Sequence, residues 1–410
     1  MTIHTIINLT QEEYNNMAEQ QMHGFRARLD YVLKHNYAVN RLFTWTASTA
    51  LRMWGWFIPT EPQMVIFSGH TRKYNDSPRA LYEYMMAHPE KYGQYKCVWA
   101  LEDPDNVDVP GNPMKVKSDT LQYFKYTLMA KYWITCVNIE RSLHYKKSSC
   151  RYLNTWHGTP FKHVGNDAGG RNDFNFGSVD YFCYASEYEK EIYKRAFKVR
   201  EEAMIPSGLP RNDVLYNVTP QEVASIKEHL GLPKDKKIIL YAPTWRDSTD
   251  NGKTCAIKPP VDAKKWEDAL KDDYVVLFRM HAYTNKLLGL EFNETLRDYS
   301  TYPNVNDLFK VADILISDYS ASMADYSILE RPILCFVYDY EEYRDERGLY
   351  VDYSKDMPSG ILRTEDDVLD YIKKMDYKEE CEKTKRMIKN KLIHLGGNAT
   401  KMCLERLFEK

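Results

Sequence analysis

The feature that most constrains this chain is an alternation that begins near residue 61. Short apolar runs, each about the length of one strand, are separated by amphipathic stretches long enough for a helix. Val65-Ile66-Phe67, Cys97-Val98-Trp99-Ala100, Trp133-Ile134-Thr135-Cys136, Tyr152-Leu153-Asn154-Thr155 and Tyr181-Phe182-Cys183-Tyr184 make a first series. Ile238-Ile239-Leu240-Tyr241, Tyr274-Val275-Val276-Leu277-Phe278, Ile314-Leu315-Ile316-Ser317 and Ile333-Leu334-Cys335-Phe336 make a second. A βαβα texture of this kind argues for a parallel sheet covered on both faces by helices. A break follows Pro210-Arg211-Asn212-Asp213. Thr219-Pro220-Gln221-Glu222 then reads as a helix start, with Thr219 as N-cap, Pro220 at the first helical position and Glu222 completing a capping box. Two consecutive doubly wound units leave a cleft between them, and such sheets bind ligands beyond the carboxyl ends of their strands.

That rule can be tested on the residues that follow the runs. Thr155-Trp156-His157-Gly158-Thr159-Pro160-Phe161-Lys162 follows one run in the first series. His157 has an imidazole able to accept a proton near neutral pH. Gly158 permits close backbone approach, Pro160 stiffens the turn, and Lys162 can offset phosphate charge. In the second series, Thr244-Trp245-Arg246-Asp247 follows residues 238–241, and Arg279-Met280-His281 follows 274–278. Thr244 and Arg246 can reach phosphates. Arg279 and His281 point to one side if strand geometry persists, a pairing suited to a diphosphate. Ser317-Asp318-Tyr319-Ser320-Ala321-Ser322 joins a buried strand to a helix expected near Ser320, where serine hydroxyls and helix N–H groups can cradle phosphate or act simply as caps. Asp325 follows in that helix, either holding ribose hydroxyls or merely solvated.

Residues 10–60 have a different texture. They read as helix, and their second half is apolar and aromatic: Phe43, Ala47, Ala50, Trp54 and Phe57 recur at spacings of three and four. The stretch is too short to span a bilayer, which needs about 20 apolar residues. Three tryptophans beside Arg41 and Arg52 suit a helix lying in a membrane interface; a helix packed on the catalytic body is the alternative.

Composition excludes several classes. The formal net charge of −2 gives no global field for nucleic acid. The eight cysteines show no C-x-x-C spacing and read as reduced, mostly buried thiols. Residues 1–20 are polar, so no secretory h-region is read there. There is no P-loop, no H-E-x-x-H, no Gly-x-Ser-x-Gly and no carboxylate cluster for a divalent metal, so no obligate cofactor is expected.

Taken in order, these segments resemble the CDP-glycerol glycerophosphotransferases of teichoic acid and related polymer synthesis. Gly208-Leu209-Pro210-Arg211-Asn212-Asp213, Ser77-Pro78-Arg79-Ala80 and Asp339-Tyr340-Glu341-Glu342-Tyr343 with Arg347-Gly348 belong to the same ordered set, which covers roughly residues 61–410. The resemblance implies an α/β GT-B fold: two Rossmann-like domains facing across a cleft, here with an N-terminal helical, membrane-associating extension. The implied divisions are 1–60 for the extension, 61–215 for the acceptor domain, 216–395 for the CDP-donor domain and 396–410 for a helix crossing back to the first. It implies His157 as base and His281 as second essential histidine. Thr244, Arg246, Arg279, Ser317, Asp318, Ser320, Ser322 and Asp325 would bind the donor, with Gly158, Thr159 and Lys162 on the acceptor or phosphate side. The implied donor is CDP-glycerol or CDP-ribitol, and the acceptor a lipid-linked glycan or polyol-phosphate chain at the cytoplasmic face of the membrane. Two other readings stay open on the residues alone: a glycosyltransferase of the same fold, and a non-catalytic membrane-associated binding module.

Overall fold

The computed structural model describes residues 37–169, 174–244, 260–280, 291–393 and 395–409. His281, Arg246 and Trp245 therefore lie outside the described residues. The chain divides into two compact units. Of the described residues, one unit takes 37–59 with 140–148, and the other takes 60–139 with 149–409.

The larger unit holds two parallel sheets. The first series of apolar runs gives β1 (Glu61–Ser68), β2 (Lys96–Leu101), β4 (Ala130–Thr135), β5 (Arg151–Asn154) and β6 (Tyr181–Cys183), and two further strands complete the sheet, β3 (Met114–Lys117) and β7 (Met204–Ile205). Among the described residues the order is β3-β2-β1-β4-β5-β6-β7. The second series gives β8 (Lys237–Tyr241), β9 (Tyr274–Phe278), β11 (Ile314–Ser317) and β12 (Ile333–Cys335), with β10 (Leu296–Asp298) added at one edge. That order is β10-β9-β8-β11-β12, and every pairing in both sheets is parallel.

Alternate strand residues enter opposite faces, and both faces are buried, so the runs are apolar throughout. In the second sheet Ile238, Leu240, Val275, Leu277 and Leu315 pack on one side. Ile239, Tyr241, Val276, Phe278, Ile314 and Ile316 pack on the other. In the first sheet Val65, Phe67, Trp99, Ile134 and Leu153 meet Leu81, Tyr82 and Met85 of the helix Asp76–Ala87, and also Cys403, Leu404 and Leu407 of the last helix, Ala399–Phe408. The chain's end thus returns to the first sheet. Asp213 secures that return: its carboxylate accepts from the backbone N–H groups of Ala399 at 2.9 Å and Thr400 at 2.8 Å, a negative group on the exposed donors of a helix start.

The helix expected after residue 219 runs Pro220–His229, with Thr219 accepting from the Glu222 N–H at 3.2 Å. The capping box is not completed as expected. The Glu222 carboxylate accepts instead from Lys310 Nζ, whose ammonium is buried and would otherwise lack a counter-charge.

In the smaller unit, the helix Tyr37–Phe57 turns Ser48 inward, where its hydroxyl accepts from the His144 N–H at 3.1 Å. Lys147 Nζ donates to the Ile58 carbonyl, and the Glu140 carboxylate accepts from the N–H groups of Tyr145 and Lys146. The expected apolar stripe is split: Ala47 and Trp54 are half-buried, whereas Phe43, Ala50 and Phe57 are exposed. The open face carries Leu42, Phe43, Trp45, Met53, Trp56 and Phe57, with Trp56 79% and Phe57 82% exposed. No helix among the described residues is long and apolar enough to cross a membrane.

Candidate active site

Each sheet reverses its strand order once, between β1 and β4 in the first and between β8 and β11 in the second. At such switch points the two neighbouring chains leave in opposite directions and open a crevice. The candidate residues gather at both.

His157 reaches the first switch point from the neighbouring strand. Its loop turns sharply after β5: Trp156 takes φ 54° and Gly158 φ 148°. Asn154 Oδ1 accepts from the Trp156 N–H at 2.8 Å, which fixes the turn. The imidazole then lies over the end of β4, with Nδ1 2.7 Å from the Cys136 carbonyl oxygen. A carbonyl only accepts, so Nδ1 carries the hydrogen and Nε2 of the neutral ring keeps its lone pair. The ring sits between Trp156, at 4.0 Å between centroids, and His70, at 4.8 Å. His70 directly follows β1 in the short turn His70–Arg72. Burial is the main cause that lowers the His157 pKa to about 4; the neighbouring His70 adds to it, and Asp76 opposes it. His70 is also lowered, again chiefly by burial.

The second switch point holds Thr244, Ser317 and Asp318. Ser317 is fully buried, and its hydroxyl donates to the Ala242 carbonyl at 2.6 Å, tying β11 to the end of β8. Asp318 Oδ1 accepts from the N–H groups of Thr244 at 2.7 Å and Tyr319 at 2.6 Å. These two side chains hold the loops in place. Ser320 and Ser322 remain half-buried, with their hydroxyls 3.0 Å apart. The helix after them, Ser322–Ser327, has only six residues. Arg279 follows β9, and its Nη1 donates to the carbonyls of Tyr302 at 2.6 Å and Tyr299 at 3.3 Å. Burial lowers its pKa.

The two clusters meet. A Cβ placed on Gly158 would lie 2.6 Å from the Cβ of Ala321, so the His157 loop and the Ser320–Ser322 loop touch through the one residue that has no side chain. Lys162 lies further along the first loop, with Nζ 3.3 Å from Tyr343 Oη.

Two expected ligand-side residues point elsewhere. Thr159 is fully buried, and its hydroxyl donates to Glu189 Oε1. Glu189 Oε2 accepts from the Ala185 N–H at 2.6 Å, and burial raises this carboxyl to about 7 against those two bonds. Asp325 is buried as well: Arg211 Nη2 donates to its Oδ2 at 2.7 Å and Asn212 Nδ2 to its Oδ1 at 2.6 Å. Both oxygens of Asp325 are thus engaged by protein donors.

His70, Glu189, Arg211 and Asn212 carry the site without having been singled out by the strand-end reading. Gly69-His70 follows the run at 65–67 and obeys the same rule as His157. Arg211 and Asn212 stand in the Gly208-Leu209-Pro210-Arg211-Asn212-Asp213 segment of the ordered set, and nothing local marks Glu189.

Paired doubly wound parallel sheets with polar loops at both switch points make a GT-B-like fold. The chain belongs to the CDP-glycerol:poly(glycerophosphate) glycerophosphotransferase family, whose model matches residues 50–409. It is 34% identical over 344 residues to a teichoic acid poly(glycerol phosphate) polymerase of Bacillus spizizenii, covering 79% of this chain and 86% of that one. It is 37% identical over 321 residues to the polymerase of the same name from Staphylococcus epidermidis, covering 73% of this chain but spanning only 44% of that relative's length. The solved structure of the wall teichoic acid polymerase TagF superposes with a TM-score of 0.76 at 30% identity, over 96% of this chain and 98% of that one. A TagF variant soaked with CDPG gives 0.75 at 31%, over 85% and 90%.

Proposed function

We propose that this chain transfers glycerol phosphate from CDP-glycerol to a hydroxyl of a lipid-linked or polymeric acceptor, with release of CMP. The acceptor oxygen attacks the β-phosphorus of the donor. A new oxygen–phosphorus bond forms, the bond to the bridging oxygen breaks, and CMP leaves with that oxygen. His157 Nε2 takes the acceptor proton as the bond forms. Arg279, Ser320 and Ser322, with His281 and Arg246, offset the charge of the transferring and leaving phosphates. Thr244, Ser317 and Asp318 hold the donor loops in register. On this reading residues 61–215 serve the acceptor and 216–395 the donor.

The observation that carries the reading is the 2.7 Å bond from His157 Nδ1 to the Cys136 carbonyl, which leaves Nε2 as the acceptor of a proton at the strand-order switch. Glycerol is favoured over ribitol because both relatives named above are glycerol-phosphate enzymes by name. The test is product release from a donor panel: CMP from CDP-glycerol with a glycerol-phosphate-primed lipid acceptor supports the reading. Turnover confined to UDP- or GDP-sugars sinks it.

The same proposal places the enzyme peripherally on the cytoplasmic face of the membrane, held by the helix Tyr37–Phe57. What supports this is its open aromatic face together with Arg41 and Arg52. Sedimentation with anionic liposomes should fall on replacing Trp45 and Trp56 by serine. Unchanged sedimentation would assign the helix to packing.

A further inference from the structure

One buried cation joins the two clusters. Arg211 lies in the turn Pro210–Leu215 and its side chain is 14% exposed. Nη1 donates to Asp76 Oδ2 at 2.6 Å and to the backbone carbonyl of His157 at 3.0 Å. Nη2 donates to Asp325 Oδ2 at 2.7 Å. Its own backbone is tied on both sides: the N–H donates to Ser77 Oγ at 3.3 Å, and the carbonyl accepts from Asn306 Nδ2 at 2.7 Å. Three acceptors, from the first sheet's leading helix, the His157 loop and the Asp325 helix, thus share one rigid planar fork. A lysine ammonium is a point charge on a flexible stem and cannot reproduce that fork.

We propose that Arg211 is a positioning residue of the transfer reaction, fixing the main chain of the base His157 against the helix that follows the donor-side Ser320–Ser322 loop. The proposal rests on His157 being the base. Asp325 stands in the helix that follows the donor loop, Arg211 grips Asp325, and the same guanidinium grips the carbonyl of the residue whose ring must meet the acceptor hydroxyl. Displacing the fork moves the ring relative to the phosphorus it serves, and about 1 Å of misplacement is worth a large rate loss.

The fork also sets the charge around the ring. The groups facing His157 are His70 after β1, Asp76 at the start of its helix, the Cys136 carbonyl after β4, and Arg211. His70 and Arg211 disfavour the imidazolium, and Asp76 favours it. Burial works against the guanidinium's charge, yet Asp325 and Asp76 together outweigh it and raise its pKa, so Arg211 stays charged. Removing that charge leaves only burial and His70 to oppose Asp76.

The experiment compares kcat, KM for CDP-glycerol and the pH dependence of kcat/KM in Arg211→Lys, Arg211→Gln, Asp76→Asn and Asp325→Asn, with thermal melting to confirm folding. Arg211→Lys keeps the charge and should lose kcat about tenfold or more with KM nearly unchanged. Arg211→Gln should add an upward shift of the acid limb by about half a pH unit or more, and Asp76→Asn should move it downward. Should Arg211→Gln fail to fold, Asp325→Asn carries the test: a fall in kcat at constant KM supports the proposal, whereas a rise in KM at constant kcat would make Asp325 a donor ligand and overturn it. Wild-type kcat in Arg211→Lys overturns it equally. An active His157→Ala enzyme would defeat the base assignment itself; an inactive one beside a wild-type Arg211→Lys would defeat only this inference.

Discussion

Replacing Gly158 by alanine tests the meeting of the two loops. The residue takes φ 148°, a region that side-chain-bearing residues rarely adopt, and its new Cβ would stand 2.6 Å from the Cβ of Ala321. Carbon atoms settle at about 3.5–4.0 Å, so the loops must part by about 1 Å. With His157 as the proposed base beside it, a displacement of that size should lower kcat on the order of 100-fold. The backbone strain adds about 1–3 kcal/mol of instability. The two effects separate in the double variant Gly158→Ala with Ala321→Gly, which removes the carbon–carbon contact but leaves the dihedral. Initial rates of CMP release should then recover most of the loss while the melting temperature stays low. A Gly158→Ala enzyme at the wild-type rate, or a double variant no faster than the single one, would refute the reasoning.

Other outcomes follow from the same geometry. Because the folded chain holds the His157 imidazole neutral down to about pH 4, kcat/KM should lose activity on the acid side near pH 4 instead of near the ordinary 6.5; a limb at 6.5 would place His157 in an open, solvated setting. Glu189 binds its proton more tightly in the folded chain, near pH 7 against an ordinary 4.5. Its contribution to stability is therefore full below about pH 4.5 and lost as pH rises through 7, about 3 kcal/mol in all. Urea unfolding of Glu189→Gln should show a flatter pH dependence than the wild type over that window, and parallel curves would contradict the assignment. Glu222→Ala leaves the buried Lys310 ammonium without its carboxylate and should destabilise the chain by about 1–3 kcal/mol in the same assay, with CMP release unaffected below the transition.

The central strands were legible because a parallel strand buried on both faces has to be apolar at nearly every position, and nine such runs are strands. β3, β7 and β10 were not, because all three lie at sheet edges. Met114-Lys115-Val116-Lys117 alternates like a solvated edge, and Met204-Ile205 is too brief to stand out. The strand-end rule picked out His157, Thr244, Arg279 and the Ser317–Ser322 stretch, and the structure places each at or just beyond the end of a strand of the two sheets. It failed for Arg211, whose partners at 76, 157 and 325 are remote in sequence, so no local spacing records the fork. It failed for Glu189 because the exposed carboxylates of Glu187 and Glu191 flank the buried one, and the side chain that turns inward looks like its neighbours. Asp325 looked like a ligand residue for the complementary reason: its sequence context shows a carboxylate near phosphate-binding serines and says nothing of the arginine that covers it.

The central claim is that His157 deprotonates the acceptor. The most direct measurement is single-turnover transfer from CDP-glycerol to a primed acceptor by folded His157→Ala enzyme, with donor binding measured alongside. Transfer should fall by about 10²–10⁴-fold while the donor still binds. Transfer within a few-fold of wild type would contradict it.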